Sequence, residues 1–207
     1  MMIGFIGKKV GMTTIFDTDG TAIPVTILRA GPCEVIQVKS PEKDGYSAIQ
    51  LGFEPTKKRK PKPELGHFKK AGTKVYKRLR EFRVSDPENY SVGQMITVER
   101  FNIGDSVNLG GISKGKGFQG SIKRHHFSTG PKSHGQSNKW RAPGSLGQSS
   151  SPSRVFKGVR MAGRMGNEKV TIPGSKIISI DSENNLILVK GSVVGPRGGY
   201  ITIVKEG

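Results

Sequence analysis

Short hydrophobic runs rich in β-branched residues lie near both ends of the chain, bounded by turn-forming pairs such as Gly31-Pro32 and Asp44-Gly45. Runs of this length and composition are typical of β-strands. Glu183-Asn184-Asn185 predicts a hairpin turn, and the short connections predict antiparallel strands that follow one another. The predicted strands are Ile23–Leu28, Cys33–Lys39, Tyr46–Phe53, Lys176–Asp181, Leu186–Lys190 and Tyr200–Lys205.

The hydrophobic pattern does not favour an alternating βα architecture. No stretch of twelve or more residues has a clean helical period, although one short helix is predicted near Pro63–Ala71. Because strands lie at both ends, we expect the two ends to build one β-barrel, with the middle of the chain inserted between its strands. Gln94–Arg100 is predicted to be the strand that returns to the barrel.

Charge separates the inserted regions from the rest. Residues 106–167 contain no Asp or Glu in 62 positions, but eleven Lys or Arg and twelve Gly. A second basic block, 56–83, contains twelve Lys or Arg and two Glu. The two blocks sum to +21, and since the whole chain carries +18, the other 117 residues sum to −3. Two cationic segments on a nearly neutral body indicate an external polyanionic partner.

The remaining composition bears on the compartment. A single cysteine, Cys33, excludes an internal disulfide and a cysteine zinc cluster, which suits a reducing environment. The amino-terminal apolar run ends at Lys8 and Lys9, so it is too short to span a bilayer and in the wrong order for a signal peptide. We therefore expect a cytosolic protein.

Two glycine motifs raise the hypothesis of a nucleotide site. Gly115–Gly120 matches G-x-G-x-x-G, but a dinucleotide site also needs a buried strand, a helix and an acidic residue about 20 positions later. The first acidic residue here is Glu168. Gly110–Gly117 resembles a phosphate loop, but Gly117 stands where Ser or Thr would bind magnesium. Backbone N–H groups and lysines against the phosphates of a polymer are favoured, and a merely flexible loop is the alternative.

Three histidines, His125, His126 and His134, have the short spacing of zinc ligands. They lie among lysines and arginines without a carboxylate or thiolate nearby. A divalent cation would add positive charge to a positive segment, so stacking on bases or bonding to phosphate is favoured. The same lack of carboxylates argues against a Ser-His-Asp set.

The later part of the acid-free segment suits structured RNA. Residues 143–153 are small and polar and predict the tip of a long loop. Trp140, between two cations, either belongs to a satellite core or stacks on a base or sugar. In 157–167, glycines allow close backbone approach and arginines offer forks for phosphate. A membrane surface would use the same charge, but no amphipathic helix accompanies it.

Four longer strings extend this interpretation to the whole chain. They are MIGFIGKKVGMT, SKGKGFQGSIKRHHF, RAPGSLGQSSSPSRVFKGVRMAGRMGNEKVT and LILVKGSVVGP. In their order and spacing they closely resemble the bacterial ribosomal protein L3 family. The resemblance covers essentially the entire chain and is more specific than any of the short motifs.

The resemblance implies a mainly β fold, namely a translation-factor-like antiparallel β-barrel with a small α/β basic insertion and a long irregular extension. It implies direct binding of 23S rRNA, a role early in assembly of the large subunit, and an extension that reaches toward the peptidyl transferase centre. Neighbouring proteins such as L14 and L19 are implied as partners, in the cytoplasm within the ribosome. No membrane, small-molecule substrate, cofactor, metal or catalytic residue is implied. The corresponding division of the chain is 1–55, first part of the barrel; 56–92, basic insertion; 93–122, barrel return and Gly/Lys loop; 123–157, extension; and 158–207, last part of the barrel.

The predicted RNA-binding residues come from both basic blocks and from the aromatic and amide groups of the extension. They are Lys57, Lys58, Arg59, Lys60, Lys114, Lys116, Lys123, Arg124, His125, His126, Lys132, His134, Lys139, Trp140, Arg141, Gln148, Arg154, Lys157, Arg160 and Arg164. Some bacterial members carry a methylated glutamine within Gly-Gln-Asn-Gln. This chain has Gly147-Gln148-Ser149-Ser150, so that modification is not carried over to Gln148.

Two other functions remain as alternatives. A generic RNA chaperone would bind unrelated structured RNAs with similar affinity. A nucleotide-using enzyme built on the glycine motifs would bind a mononucleotide or dinucleotide saturably.

Overall fold

The strands and helices were located in a computed structural model that describes residues 3–205. The strands are β1 (Ile3–Phe16), β2 (Ala22–Ala30), β3 (Cys33–Lys39), β4 (Ala48–Pro55), β5 (Tyr76–Arg83), β6 (Met95–Ile96), β7 (Ser106–Ile112), β8 (Gly117–Gln119), β9 (Gly163–Met165), β10 (Lys169–Asp181), β11 (Leu186–Lys190) and β12 (Tyr200–Lys205). The α-helices are α1 (Pro41–Asp44), α2 (Lys62–Ala71) and α3 (Ser121–His125), and 3-10 helices span Pro87–Asn89 and Val98–Arg100. The chain forms two compact units: unit 2 is Lys114–Glu168, and unit 1 is the remainder.

Six strands of unit 1 close into a barrel in the order β1-β12-β7-β10-β11-β2, and all neighbours are antiparallel. The two ends of the chain meet in it, since Phe5 pairs with Ile203 across β1 and β12. Alternate positions of these strands, such as Leu109 and Ile187, are fully buried, as a period of two requires. The predicted antiparallel barrel is confirmed.

The other strands of unit 1 form a second sheet in the order β5-β4-β3-β6. Helix α2 packs against this sheet through Phe68, which lies in a small cluster with Ile36 and Tyr76. Buried residues of both sheets share one larger core, in which the rings of Phe5 and Phe101 meet edge to face at 5.8 Å. The barrel and the second sheet of unit 1 therefore stabilise each other by burying a common apolar surface.

The prediction for Gln94–Arg100 is wrong. Only Met95 and Ile96 form a strand, which pairs with β3 in the second sheet, and the residues after Thr97 form a 3-10 helix. Ile96 and Val98 are buried, which explains the alternating pattern. The strand that enters the barrel after the basic block is β7, whose Gly110-Gly111 pair lowers its apparent strand propensity.

Strands β3 and β4, which the predicted division places in the first part of the barrel, belong to the second sheet instead. Other predicted elements agree with the structure in their position along the chain. The strands predicted at Cys33–Lys39, Leu186–Lys190 and Tyr200–Lys205 have the same limits, and the predicted short helix is α2. Strand β10 begins seven residues earlier than predicted, at Lys169, where it pairs with Ile112 of β7. Unit 2 is thus inserted in the sequence between two paired barrel strands. Within residues 3–205, no helix is both long enough and apolar enough to cross a membrane.

Candidate nucleic-acid interface

Unit 2 begins and ends in a two-stranded ribbon. Strands β8 and β9 pair antiparallel, with Gly117 opposite Met165 and Gln119 opposite Gly163. The N–H of Lys116 donates to the Met165 carbonyl at 2.9 Å, and the Gln119 amide donates to the Lys116 carbonyl. The ribbon therefore brings together the two ends of a segment of more than forty residues that has little other regular structure.

Two of the predicted RNA-binding residues have side-chain hydrogen bonds inside unit 2. Arg124 donates from Nη1 to the carbonyl oxygen of Met161 at 2.9 Å, and Nε2 of His125 lies 3.1 Å from the same oxygen. Both side chains are half-buried. A Cβ at Gly163 would lie 2.5 Å from Nη1 of Arg124, so a side chain there would displace the guanidinium from its present position. These contacts attach α3 to the chain that returns toward β9.

The other two histidines lie at sharp turns. His126 and His134 both have left-handed backbone, with φ of 61° and 62°. At His126 this conformation ends α3, because its N–H donates to the Ile122 carbonyl at 2.9 Å. Both residues are exposed. Their turns redirect the chain and leave their rings accessible to an external partner.

Trp140 lies in the extension, residues 123–157. It is the last residue of a loop that begins at Gly130 and is closed by a hydrogen bond. The N–H of Gly130 donates to the Trp140 carbonyl at 2.9 Å. The Trp140 side chain is 41% exposed and belongs to neither hydrophobic cluster of the described residues. Of the two interpretations offered by the sequence, this geometry favours stacking on a base or sugar over a satellite core.

The predicted loop tip has only local order. Ser145 Oγ donates to the Gly147 carbonyl at 3.1 Å and lies 3.4 Å from the Gly147 nitrogen. Residues 141–151 are all exposed, including Gln148. The tip thus presents backbone groups and small polar side chains to its surroundings.

The cations of unit 2 remain displayed on its surface. Apart from Arg124, every lysine and arginine in it is exposed. Since residues 106–167 contain no carboxylate, these cations cannot form ion pairs within that segment, and it keeps a net positive charge. Arg154 is the one with a ring contact, 5.4 Å from the Phe156 centroid. Exposed lysines and arginines on an accessible, glycine-rich backbone are suited to contact the phosphates of a folded nucleic acid.

Sequence reasoning missed Phe118, which is 77% exposed in β8. It lies opposite Arg164 in the ribbon, so the aromatic ring and the guanidinium belong to one cross-strand pair. A large exposed aromatic side chain beside a cation is suited to stacking on an unpaired base. Its signal in the sequence was an aromatic residue flanked by glycine inside the acid-free segment.

The second basic block, in unit 1, is partly neutralised. Lys60 pairs with Glu64 at 2.7 Å, and Lys77 pairs with Glu54 at 3.2 Å. Lys57, Lys58 and Arg59 are exposed. Residues of this block, including Lys77 and Arg78 of β5, line a cleft of about 400 Å³ together with Tyr200.

Glu54 organises the edge of that cleft. It accepts a hydrogen bond from Tyr200 Oη at 2.6 Å. It also forms ion pairs with Lys8 at 3.0 Å and with Lys77 at 3.2 Å. The Tyr200 hydrogen bond, with help from the two lysines, lowers the pKa of Glu54 to about 2. Its backbone is left-handed, with φ of 60°. The carboxylate therefore stays ionised and fixes the Tyr200 side chain.

The glycine motifs do not form a nucleotide site. Gly115–Gly120 includes the exposed three-residue strand β8, which pairs only with β9 within residues 3–205, and the helix that follows has five residues. A dinucleotide site would need a buried strand and a longer helix at this point. In the same described range, no three His, Cys, Asp or Glu side chains lie close enough together to hold a metal ion.

Comparison with known proteins gives a consistent result. The family model described as Ribosomal protein L3 matches residues 50–185. The chain is 53% identical over 205 residues to the large ribosomal subunit protein uL3 of Natranaerobius thermophilus, which covers 99% of this chain and 97% of that protein. It is 51% identical to uL3 of Synechococcus sp. (strain JA-3-3Ab), covering 98% of this chain and 95% of the relative. It is 50% identical to uL3c of Cyanophora paradoxa, covering 99% and 98%.

Proposed function

The chain belongs to the ribosomal protein L3 family, and from that premise we propose that it binds 23S rRNA directly and assists early assembly of the large ribosomal subunit. As a member of this family it is a structural constituent of the ribosome, in the cytoplasm, and not an enzyme. The hypothesis of a nucleotide-using enzyme is therefore wrong. A generic RNA chaperone would differ from this function in its specificity for RNA, which a titration with an unrelated structured RNA measures.

The observation that carries the proposal is the exposed unit 2, which contains no Asp or Glu before its last residue, Glu168. Its lysines and arginines have no carboxylate within 106–167 to pair with, so their positive charges repel one another in the free protein. Phosphates along an RNA strand would remove that repulsion and release condensed counterions. The many glycines allow the backbone to follow an irregular RNA surface closely. Binding to RNA is thus the state in which this composition is most stable.

We assign the extension, residues 123–157, the deeper contacts. It is irregular and exposed, and its loop tip offers small polar groups in place of bulky ones. A segment of this kind is suited to thread between RNA helices, and the family resemblance implies that it reaches toward the peptidyl transferase centre. Its cations would neutralise phosphates, while Trp140 and His134 would contact bases or sugars.

Within unit 2, two residues act differently from the rest. Arg124 and His125 both contact the Met161 carbonyl, so their first role is to hold the base of the extension. Their outer edges remain available for RNA because both side chains are only half-buried. Contacts with neighbouring proteins such as L14 and L19, which the resemblance implies, complete the proposed environment.

The dependence of rRNA affinity on salt tests the proposal. We expect the affinity of the full chain for a 23S rRNA transcript to fall steeply, by roughly 10³-fold or more between about 50 and 200 mM salt, as six or more phosphate contacts would produce. Filter binding or fluorescence titration measures it. An affinity that does not change over this range would contradict the proposal.

A structured RNA of equal length and unrelated sequence is the control for that titration. We expect it to bind at least about tenfold more weakly than the 23S transcript at the same salt, because shape-specific contacts add to the electrostatic part. Equal affinity for both RNAs would favour a generic chaperone.

A further inference from the structure

A basic cleft of about 400 Å³ lies in unit 1, outside the extension. It is bordered by the loop before α2, by β5 and by the first residue of β12. Five cationic side chains and one carboxylate, Glu64, line it. The residues that matter here are Lys58, Arg59, Lys60, Lys77, Arg78 and Tyr200.

In this cleft the guanidinium of Arg78 lies over the ring of Tyr200. The Arg78 guanidinium carbon lies 4.7 Å from the centroid of the Tyr200 ring. The ring is held by its hydrogen bond to Glu54 and by an edge-to-face contact with Phe53 at 6.3 Å. Arg78 remains exposed, so the side of its guanidinium away from Tyr200 is accessible. A guanidinium is flat and can stack on a further planar ring.

Of the cations at the cleft, Lys58 and Arg59 are not paired with a carboxylate of residues 3–205. Lys60 and Lys77 are paired with Glu64 and Glu54. The side chains of Lys58 and Arg59, in contrast, have no hydrogen bond or ion pair with any part of the chain that the structure describes. Their charges are therefore available to an anion that enters the cleft.

We propose that the cleft binds one unstacked nucleotide of the bound rRNA, with its base on Arg78 and its phosphate at Lys58 and Arg59. This inference rests on the proposed function, since the nucleotide belongs to the RNA that the chain binds. The volume is within the range of sites for small organic ligands, roughly 300–1,000 Å³, and exceeds what a lone phosphate needs. A splayed-out base stacked on a guanidinium plane is a common means of recognising RNA.

An acidic peptide is the competing occupant, and the arrangement disfavours it. Carboxylates would use the charges of Lys58 and Arg59 but not the flat guanidinium face of Arg78 over Tyr200. Only a ligand with both a planar ring and an anion uses both parts of the cleft.

Charge-conserving and charge-removing variants of the full chain test this proposal. Arg78→Lys retains the charge but loses the planar face, and Lys58→Gln/Arg59→Gln removes the unpartnered cations. We expect Arg78→Lys to weaken binding to the 23S rRNA transcript by about fivefold or more, the lower end of the effect of losing one stacked base. The double variant loses the phosphate contacts and should weaken binding by about fivefold or more as well. Lys43→Gln is the matched control, because Lys43 is exposed in α1 outside both basic blocks. It should change affinity by less than about twofold.

A directed probe locates the nucleotide independently of those affinities. Cys33 is fully buried, and burial raises the pKa of its thiol to about 12, so a cysteine introduced by Lys58→Cys would be the reactive thiol of the chain. An iron chelate attached there should cleave the rRNA at one short stretch that contains an unpaired nucleotide. Cleavage confined to continuous helix, or no cleavage beyond that of a Lys43→Cys probe, would contradict the proposal.

The remaining outcomes separate this inference from the proposed function. If the wild-type chain binds rRNA with steep salt dependence while the cleft variants bind equally well, the cleft proposal is wrong and the proposed function stands. If Arg78→Lys behaves as wild type and only the double variant is weaker, the cleft takes a phosphate without a base. If the double variant loses affinity for poly-glutamate but not for rRNA, the occupant is an acidic peptide. If the wild-type chain does not bind rRNA, both proposals fail.

Discussion

Glu54 shows how one side chain links distant parts of the chain. Its carboxylate binds Lys8, 46 residues before it, and Tyr200, 146 residues after it. Nothing in the local sequence around Glu54 predicts these partners, because they meet only when β1, β4 and β12 have folded together. Candidate RNA contacts such as Lys58 and Arg59, in contrast, were predictable, because charge in excess of local partners is visible in the sequence.

The low pKa of Glu54 gives a prediction about acid stability. Since its pKa falls from 4.5 to about 2 on folding, the carboxylate stabilises the fold fully above pH 4.5 and loses that effect as the pH falls toward 2. Glu54→Gln should therefore be less stable than wild type at pH 7, by about 1 kcal/mol for a partly exposed group with several partners. The difference should shrink between pH 4.5 and 2. Urea unfolding followed by circular dichroism at several pH values measures it.

Glu42→Gln is the control for this effect, since Glu42 is exposed in the short helix α1. It should have the wild-type pH dependence. A Glu54→Gln difference that is constant from pH 7 to pH 2 would show that the ionised carboxylate does not stabilise unit 1.

At the scale of elements, the sequence predicts those strands that are short hydrophobic runs rich in β-branched residues. Strands β3, β11 and β12 were predicted with their observed limits for this reason. Strands β1 and β5 were not, because three glycines interrupt β1 and five of the eight residues of β5 are charged. In β1 the glycine at position 4 is required by packing: any side chain there would overlap the Phe82 ring of β5. Features that conceal a strand in the sequence can thus be those that fit it into the core.

The β8–β9 ribbon gives a prediction at the same scale. Gly166 has a left-handed backbone, with φ of 72°, and a side chain there would overlap the Lys114 carbonyl. Gly166→Ala should therefore disrupt the ribbon, since a left-handed non-glycine residue alone costs roughly 1–3 kcal/mol. We expect faster tryptic cleavage within 114–168 and weaker rRNA binding, with unchanged thermal unfolding of unit 1.

Gly120→Ala is the matched control, because Gly120 has an ordinary φ of −71° and open space around its Cα. It should be cleaved and bind rRNA as the wild type does. Equal behaviour of the two alanine variants would mean that the ribbon does not order the base of the extension.

For the whole molecule, the sequence predicts where charge is concentrated along the chain better than it predicts which charged side chains meet in the fold. The two basic blocks and the near-neutral remainder are evident from counting side chains, and the structure places the remainder in a closed barrel and an adjoining sheet. Counting side chains cannot predict which cations form ion pairs or hydrogen bonds within the folded chain. Lys60, Lys77 and Arg124 have partners within the chain, whereas Lys58 and Arg59 have none among the described residues. That distinction comes only from the fold.

Chemical probing of 23S rRNA with two forms of the protein tests the central claim most directly. One form is the full chain, and the other lacks His134–Arg154, a deletion that should leave thermal unfolding of the barrel nearly unchanged because the segment contributes nothing to either hydrophobic cluster. We predict that the full chain protects two sets of nucleotides, that the shortened chain loses one set, and that large-subunit assembly with it is impaired. Identical protection by both forms, with normal assembly, would contradict the claim that the extension is an rRNA-binding segment.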